Sequence, residues 1–371
     1  MKLEQITKAL QGFETSGFTL DLLSKLSNLG QTNPKLYAAI SSCVLNGTQM
    51  NTYLFTLPVE NRTPVVWLGK TSGKFVWMTG YVNQDTAAVR ELIENNLDRI
   101  QTNPLTTCPQ LPPYLLYVDV FAQSQWQQKA NSSTNGKVSD FSIFQVEVND
   151  EEIQDIEQQM VMSADFLTGS VTTTFRVVSQ YCDIQTRRDF QKLVLPKASL
   201  LSKLHTELHN IGHFMGAFPY TKPEKDSDNY EAIEEYKACL SAVVALAQME
   251  ISAEIQTAFA LLVVCTRIFN YGYRSHYTAD KTVQIIREIT VGVLFFELLK
   301  RHEVLHLNSA GKVVIYPERI LEAVTQELTD LYTDELQARQ CPEYLNAVAI
   351  EHYKRAYPRR RLSKELSLIY S

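Results

Sequence analysis

Residues 201–216 have the sequence LSKLHTELHNIGHFMG and predict a helix with two distinct faces. Apolar residues recur at helical spacing and form one stripe, which consists of Leu201, Leu204, Leu208, Ile211 and Met215. His205, His209 and His213 follow one another at intervals of four and form a row along the same helix. Because that row lies about 100° round from much of the stripe, we expect it at the edge of the buried face.

This histidine row has the spacing of a helical metal site. Two histidines four residues apart can both reach one metal ion. Gly212 precedes His213 and has no side chain. Glycine costs about 1 kcal/mol relative to alanine inside a helix, so we expect another element to approach the helix closely at this position.

A third ligand is available on the next predicted helix, which opens with NYEAIEEYKACL at residues 229–240. Glu231 and Glu235 share one face of it, and Glu234 neighbours both. Two histidines and a glutamate with an open fourth position form a known catalytic zinc arrangement. The alternative is a structural or solvated histidine row beside an ordinary solvated glutamate face.

A literal HExxH occurs at residues 302–306, where Glu303 would be the general base of a metalloprotease helix. However, the helical pattern ends near Arg301, and residues 304–316 (VLHLNSAGKVVIY) alternate like a hairpin. Residues four apart in an extended segment are separated by about 13 Å, too far to share one zinc ion. We therefore favour the histidine row over this motif.

One aromatic and basic stretch, RIFNYGYR at residues 267–274, could line a cleft or hold an anion. Its candidate substrate-binding residues are Arg267, Tyr271, Tyr273 and Arg274. The alternative is an ordinary turn between helices. The sequence contains neither a phosphate-binding loop motif nor a GxSxG nucleophile motif.

The chain as a whole predicts an α+β fold. Residues 1–195 mix helix and strand, with a hairpin over 64–82, a helix over 85–100 and a further strand-like segment over 171–181. Helical patterns also open the chain, at 2–12, 19–29 and 34–45. Residues 196–371 are mainly helical with one short β-hairpin, and the predicted helices are 197–215, 229–250, 252–270, 279–301, 317–337 and 343–357. We expect two domains, 1–195 and 196–371, the second carrying the metal site.

The composition of the chain indicates which partners and which cellular compartment to expect. The net charge is −6, which argues against nucleic acid as a partner. Six cysteines without a CxxC pair indicate reduced thiols in a cytoplasmic protein. No apolar run reaches the roughly 18 residues of a membrane span, and the N-terminus lacks a signal-peptide core, so we expect no membrane association.

The two helical stretches resemble the dipeptidyl-peptidase-III family of zinc peptidases, which carries HELLGH on one helix and EECRAE on the next. The matching residues are HNIGH at 209–213 and EEYKAC at 234–239, and residues 287–328 resemble the family's later helix, hairpin and following helix. The resemblance covers about residues 200–340. It implies that His209, His213 and Glu235 bind the metal.

The sequence departs from the family motif in two ways that bear on activity. The family has one more residue between its histidines, and Asn210 occupies the position of the catalytic glutamate. Asparagine cannot act as a general base at neutral pH. In addition, Lys237 replaces the arginine of EECRAE and lacks its planar fork.

These observations predict a metal-dependent enzyme. Zinc is the first expectation, and iron(II) or manganese would also suit the ligands. His205 would be a fourth ligand or a neighbour one turn away. As a zinc hydrolase of altered peptidase type, with a short peptide or small molecule as substrate, the protein would need Glu207 or Glu234 as its base. The alternatives are a non-hydrolytic isomerase, lyase or oxygenase, and an inactive binding scaffold.

Overall fold

The structure is a computed structural model of the chain. It describes residues 51–54, 64–71, 74–108, 111–112, 114–124, 144–146, 159–216, 228–276, 283–338 and 362–370, together with Glu4, Thr7, Lys8, Leu10 and Gln11 near the N-terminus. The predicted helices 19–29, 34–45 and 343–357 lie outside the described residues. The few described residues of the predicted helix 2–12 are helical.

The chain divides into two compact units, of which the first comprises residues 1–90 and 113–166. It contains a six-stranded sheet in the order β1-β2-β3-β4-β6-β5. The strands are β1 (Asn51–Leu54), β2 (Pro64–Thr71), β3 (Lys74–Val82), β4 (Leu116–Gln123), β5 (Phe144–Val146) and β6 (Gln159–Ser163). β4 and β6 run parallel, and the other neighbouring strands run antiparallel. The predicted hairpin over 64–82 is confirmed, with Thr71 paired to Lys74.

The second unit comprises residues 91–112 and 167–371 and is mainly helical. The α-helices of the described chain are α1 (Asp85–Glu94), α2 (Leu97–Thr102), α3 (Ala164–Tyr181), α4 (Ile184–Asp189), α5 (Ala198–Gly212), α6 (Asp228–Gln248), α7 (Ala253–Thr266), α8 (Tyr273–His276), α9 (Val283–Arg301), α10 (Ile320–Ala338) and α11 (Lys364–Tyr370). Two π-helical segments, Phe190–Val194 and Arg267–Gly272, and two 3-10 turns, Leu195–Lys197 and Pro317–Arg319, connect some of them. A hairpin of β7 (Leu305–Leu307) and β8 (Val313–Ile315) completes the unit. The predicted α+β class is confirmed, whereas the domain boundary near residue 195 stays a prediction.

Two sequence predictions in the N-terminal half were wrong. Residues 171–181 are not a strand, because they belong to helix α3. The β-branched run within them favours strands by propensity, but the Thr173 and Thr174 hydroxyls each donate to the carbonyl four residues earlier, at 3.0 Å. These bonds keep the polar groups of the run satisfied within the helix.

The helix predicted over 85–100 is instead broken at Asn95 and Asn96. The Asn96 side chain donates to the Leu92 carbonyl at 2.8 Å and accepts the Glu250 backbone N–H at 2.6 Å. Asn96 therefore connects the break to the segment that follows α6, a long-range contact that helical periodicity does not reveal.

Helices α5 and α6 pack against each other, and Gly212 marks their closest approach. A Cβ atom added to Gly212 would lie 2.5 Å from the carbonyl oxygen of Ala238, well inside van der Waals contact. The expected close approach of another element at Gly212 is confirmed.

Helix α7, with the π-helical turn and α8 after it, forms a continuous apolar stretch over Ala253–His276. By length and composition alone it could cross a membrane, but 72% of its most apolar window is buried inside the protein. Burial of this kind is typical of the core helix of a globular protein.

The HExxH segment leaves its helix where the sequence predicts. Helix α9 ends at Arg301, and Glu303 adopts a positive φ of 55°. His306 then lies in strand β7. His302 therefore lies in the turn after α9 and His306 in β7, and the predicted hairpin is confirmed.

Candidate metal centre

Three of the predicted ligands come together where α5 faces α6. His209, His213 and Glu235 each offer a ligand atom, and these atoms lie within 4.8 Å of one another. His209 Nε2 is 3.3 Å from Glu235 Oε2, and the rings of His209 and His213 are 4.7 Å apart. Each of these residues is largely but not completely buried.

The spacing of these atoms fits a zinc ion. Zinc binds imidazole nitrogen and carboxylate oxygen at about 2.0–2.2 Å, so two such ligand atoms of one tetrahedral zinc lie about 3.4 Å apart. The observed separation of 3.3 Å between His209 Nε2 and Glu235 Oε2 is close to this value. Two nitrogens and one oxygen also form the donor set that zinc prefers in catalytic sites.

Arg267 connects this group to two further side chains. Its guanidinium donates to Glu288 Oε2 at 3.0 Å, to Glu235 Oε2 at 3.5 Å and to the sulfur of Cys239 at 3.0 Å. Arg287 is a second cation near the same carboxylate, with 3.9 Å between its NH2 atom and Glu235 Oε1. Because Arg267 is buried, its charge has to be matched by these partners.

The two histidines have opposite electrostatic environments. Burial alone would lower the pKa of His209, but the neighbouring Cys239 sulfur and Glu235 carboxylate outweigh it and raise that pKa to about 9. Burial, together with the charge of His209, lowers the pKa of His213 to about 3. Without a cation, His209 is therefore protonated at neutral pH, and His213 is neutral.

The carboxyl groups on either side of Arg267 also differ. Burial opposes ionisation of Glu235, but the hydrogen bond to His209 and the charges of His209 and Arg267 lower its pKa below the usual range. The pKa of Glu288 is raised, chiefly because that side chain is buried and because Glu235 is nearby. Glu235 is accordingly the stronger anion and Glu288 the stronger base.

His205 lies one turn before His209 and belongs to a different group. His205, His209 and Cys239 each offer a ligand atom within 4.8 Å of the others, and Cys239 Sγ is 3.3 Å from His209 Nδ1. Burial and the nearby charges of His209 and Arg267 lower the pKa of His205 well below its usual value. The structure thus separates His205 from His213 and Glu235.

The two predicted bases, Glu207 and Glu234, are buried. Glu207 is 2% exposed, and it precedes His209 by two residues, which places it about 200° round the helix. Glu234 Oε2 is 3.2 Å from the Lys237 ammonium, and both side chains are buried. Their catalytic roles stay predictions.

Each of the four predicted substrate-binding residues contacts another side chain of the protein. The guanidinium of Arg267 lies over the Tyr271 ring, 5.1 Å from its centroid. The Tyr273 hydroxyl is 3.3 Å from that of Tyr181, and Arg274 donates to Asn270 Oδ1 at 3.2 Å. Arg267 therefore contributes to the centre itself, and a role in substrate binding stays a prediction for all four.

Two residues of the centre, Cys239 and Glu288, were not predicted from the sequence. Cys239 follows Glu235 by four residues on α6 and so shares its face; that spacing could have revealed it. Glu288 comes from α9 and reaches the centre through Arg267, for which the sequence holds no local signal.

Comparison with solved structures places the fold near dipeptidyl-peptidase III. The structure of this enzyme from Caldithrix abyssi matches with a TM-score of 0.61 and 13% identity, over 94% of this chain and 66% of that chain. The structure from Corallococcus sp. strain EGB matches with a TM-score of 0.54 and 12% identity, over 94% and 64%. This chain thus spans slightly less than two thirds of either protein.

The predicted resemblance of fold is confirmed, and it extends well beyond residues 200–340, to which the sequence motifs confined it. No protein-family model matches the sequence, and no curated protein matches it either.

Proposed function

We propose that the chain is a metal-dependent hydrolase of altered peptidase type, with zinc held by His209, His213 and Glu235 and short peptides as substrates. The observation that carries this proposal is the convergence of three ligand atoms within 4.8 Å on two adjacent helices. The likeness of fold to dipeptidyl-peptidase III supports the choice of peptides. A cytoplasmic location, as the cysteine content indicates, is part of the same proposal.

Zinc bound at these residues would polarise a substrate carbonyl and lower the pKa of a bound water. The chain itself has to supply the base, because Asn210 cannot. Glu288 fits this role better than the predicted Glu207 or Glu234. It shares Arg267 with the ligand Glu235, its side chain is 18% exposed, and its raised pKa makes it a stronger base than an ordinary glutamate.

Arg267 would hold the ligand and the base in register. Its guanidinium reaches Glu235 and Glu288 with different nitrogens, and such a planar fork fixes the relative positions of two carboxylates. Glu235 would therefore keep its orientation when Glu288 is protonated, and Glu288 would keep its orientation when Glu235 binds the metal.

One observation favours a second candidate function, a binding scaffold without metal. His209 at 3.3 Å, Arg267 at 3.5 Å and Arg287 at 3.9 Å all approach the Glu235 carboxylate. These cations could satisfy Glu235 permanently, in place of a metal ion. A non-hydrolytic enzyme with a Lewis-acid metal has no specific contact in its favour.

Metal content distinguishes the two candidates. We expect about one zinc per purified chain by elemental analysis, and a weaker zinc affinity in His213→Ala and in Glu235→Gln. His302→Ala serves as the matched control, since it removes a histidine of the rival motif and should leave the zinc content unchanged. Zinc-free protein that takes up no added zinc would exclude the proposed function and favour the scaffold.

Hydrolysis of short peptides tests the proposed base. Glu288→Gln keeps the shape of the side chain and should retain zinc while losing at least about 100-fold in rate, the lower end of typical general-base contributions. The matched control is Glu254→Gln, an exposed glutamate paired with Lys197, which should leave the rate unchanged. Full activity in the Glu288 variant would assign the base elsewhere.

A further inference from the structure

Cys239, His205 and His209 form a second group of potential ligands that the proposed hydrolase site does not use. One ligand atom from each lies within 4.8 Å of the others. Cys239 is fully buried, with 0% exposure. It therefore cannot attack a substrate directly, although it lies beside His209 in the manner of a nucleophilic cysteine.

The two groups contact opposite nitrogens of the same ring. His209 Nε2 is 3.3 Å from Glu235 Oε2, and His209 Nδ1 is 3.3 Å from Cys239 Sγ. With zinc–sulfur bonds of about 2.3 Å, a sulfur and a nitrogen on one tetrahedral zinc lie about 3.6 Å apart. The observed distance of 3.3 Å between Cys239 Sγ and His209 Nδ1 is therefore close to the distance between two ligand atoms of one metal ion.

His205 provides the independent observation. Its Nε2 atom is buried and makes no hydrogen bond to any residue that the structure describes. A buried polar atom without a partner destabilises a fold, and a bound cation would supply that partner. Its ring lies 6.0 Å from the His209 ring and 6.1 Å from that of Phe259, on the side of His209 away from His213.

Arg267 is compatible with a cation at the sulfur. Its Nε donates to Cys239 Sγ at 3.0 Å. A cysteine sulfur that accepts N–H hydrogen bonds can still ligate a metal, as in iron–sulfur clusters, where such bonds tune the centre. One sulfur and two imidazole nitrogens select soft or borderline cations such as Zn²⁺, Cd²⁺ or Cu⁺ over Mg²⁺, Ca²⁺ and Mn²⁺.

We propose that Cys239, His205 and His209 form a second metal position, which takes a thiophilic cation and competes with the hydrolase position for His209. A neutral imidazole has one lone pair for a metal, since its other nitrogen carries the proton. A cation at Nδ1 thus leaves Nε2 protonated and unable to bind zinc beside Glu235. The competition rests on the proposed function, whereas the sulfur position itself does not.

Cadmium titration tests the position directly, because a sulfur–cadmium bond gives an ultraviolet charge-transfer band and the hydrolase position contains no sulfur. We expect this band in the natural chain and in Glu235→Gln. Cys239→Ser should lose it while still binding cadmium. Cys265→Ser is the matched control, since Cys265 is another buried helical cysteine, and it should keep the band.

A second variant guards against misfolding. His205→Ala leaves the sulfur in place. The cadmium affinity measured from the charge-transfer band should fall by about 10-fold or more, since even the loss of a residue that only hydrogen-bonds to a ligand typically costs that much. Far-ultraviolet circular dichroism checks that each variant is folded. Cadmium binding without the band, or a band undiminished in folded Cys239→Ser, would overturn the inference while leaving the hydrolase position intact. If the chain bound no metal at all, both the sulfur position and the hydrolase position would be refuted.

Discussion

The affinity for zinc should rise steeply with pH across the neutral range. The pKa of His209 is about 9 in the metal-free protein, so only about 1% of this ring is neutral at pH 7. A metal can bind only the neutral ring, and the two pH units between 7 and 9 correspond to about 2.7 kcal/mol, at 1.36 kcal/mol per unit. The apparent affinity should therefore increase about tenfold per pH unit up to pH 9.

The other ligands should not add to this slope. The pKa of His213 is about 3, and that of Glu235 is lowered below its ordinary value, so both are already deprotonated at pH 6.5. One proton should thus leave for each zinc bound. Two histidines with ordinary pKa values near 6.5 would instead give an affinity that stops rising above about pH 7.5.

Competition against a chelator of known pH-dependent affinity, from pH 6.5 to 8.5, measures the slope. Calorimetry in buffers of different ionisation enthalpy counts the released proton independently. His302→Ala should give the same slope, since that histidine lies outside the centre. An affinity that is flat over this range would refute the assignment of a protonated His209 beside Glu235.

Three further outcomes are expected. In chelator-treated protein, the raised pKa of His209 contributes stability below pH 6.5 that is lost as the pH rises through about 9; urea unfolding should show a decrease of about 3 kcal/mol in the free energy of unfolding, absent in His209→Gln. Asn210→Glu creates a helical HExxH, so adding it to Glu288→Gln should restore peptide hydrolysis in a kinetic assay; no recovery would place Asn210 outside the reaction. Gly212→Ala should separate α5 from α6, which lowers the free energy of unfolding by about 1–3 kcal/mol and weakens zinc binding. As the control, Gly169→Ala places a Cβ with no atom within 4 Å, so urea unfolding and the chelator competition should show neither loss.

The sequence was most informative where function depends on local spacing. The intervals between His205, His209 and His213 follow from one helix, and the structure has that helix over Ala198–Gly212. Gly212 predicted the close approach of a neighbour because a glycine is costly inside a helix. Each of these inferences needed only the geometry of a single element.

Prediction failed where the deciding contact joins residues far apart in the chain. The sequence did not reveal that Arg267 contacts Cys239 and Glu288, which lie 28 and 21 residues away; its role in substrate binding stays a prediction. The helix predicted over 85–100 breaks where the Asn96 side chain accepts the backbone N–H of Glu250, 154 residues away. Periodicity and propensity carry no information about such partners.

Charge balance links the protonated and metal-bound states of the centre. Binding a divalent cation releases one proton from His209, so the centre gains one net positive charge. Arg267 cannot move to relieve it, because its side chain is 5% exposed and is bound to Cys239, Glu288 and Glu235. Arg287 is 22% exposed and approaches Glu235 only to 3.9 Å, where solvent screens it more strongly. If zinc bound Glu235, Arg267 would therefore keep that carboxylate aligned, because its other contacts to Cys239 and Glu288 do not depend on Glu235.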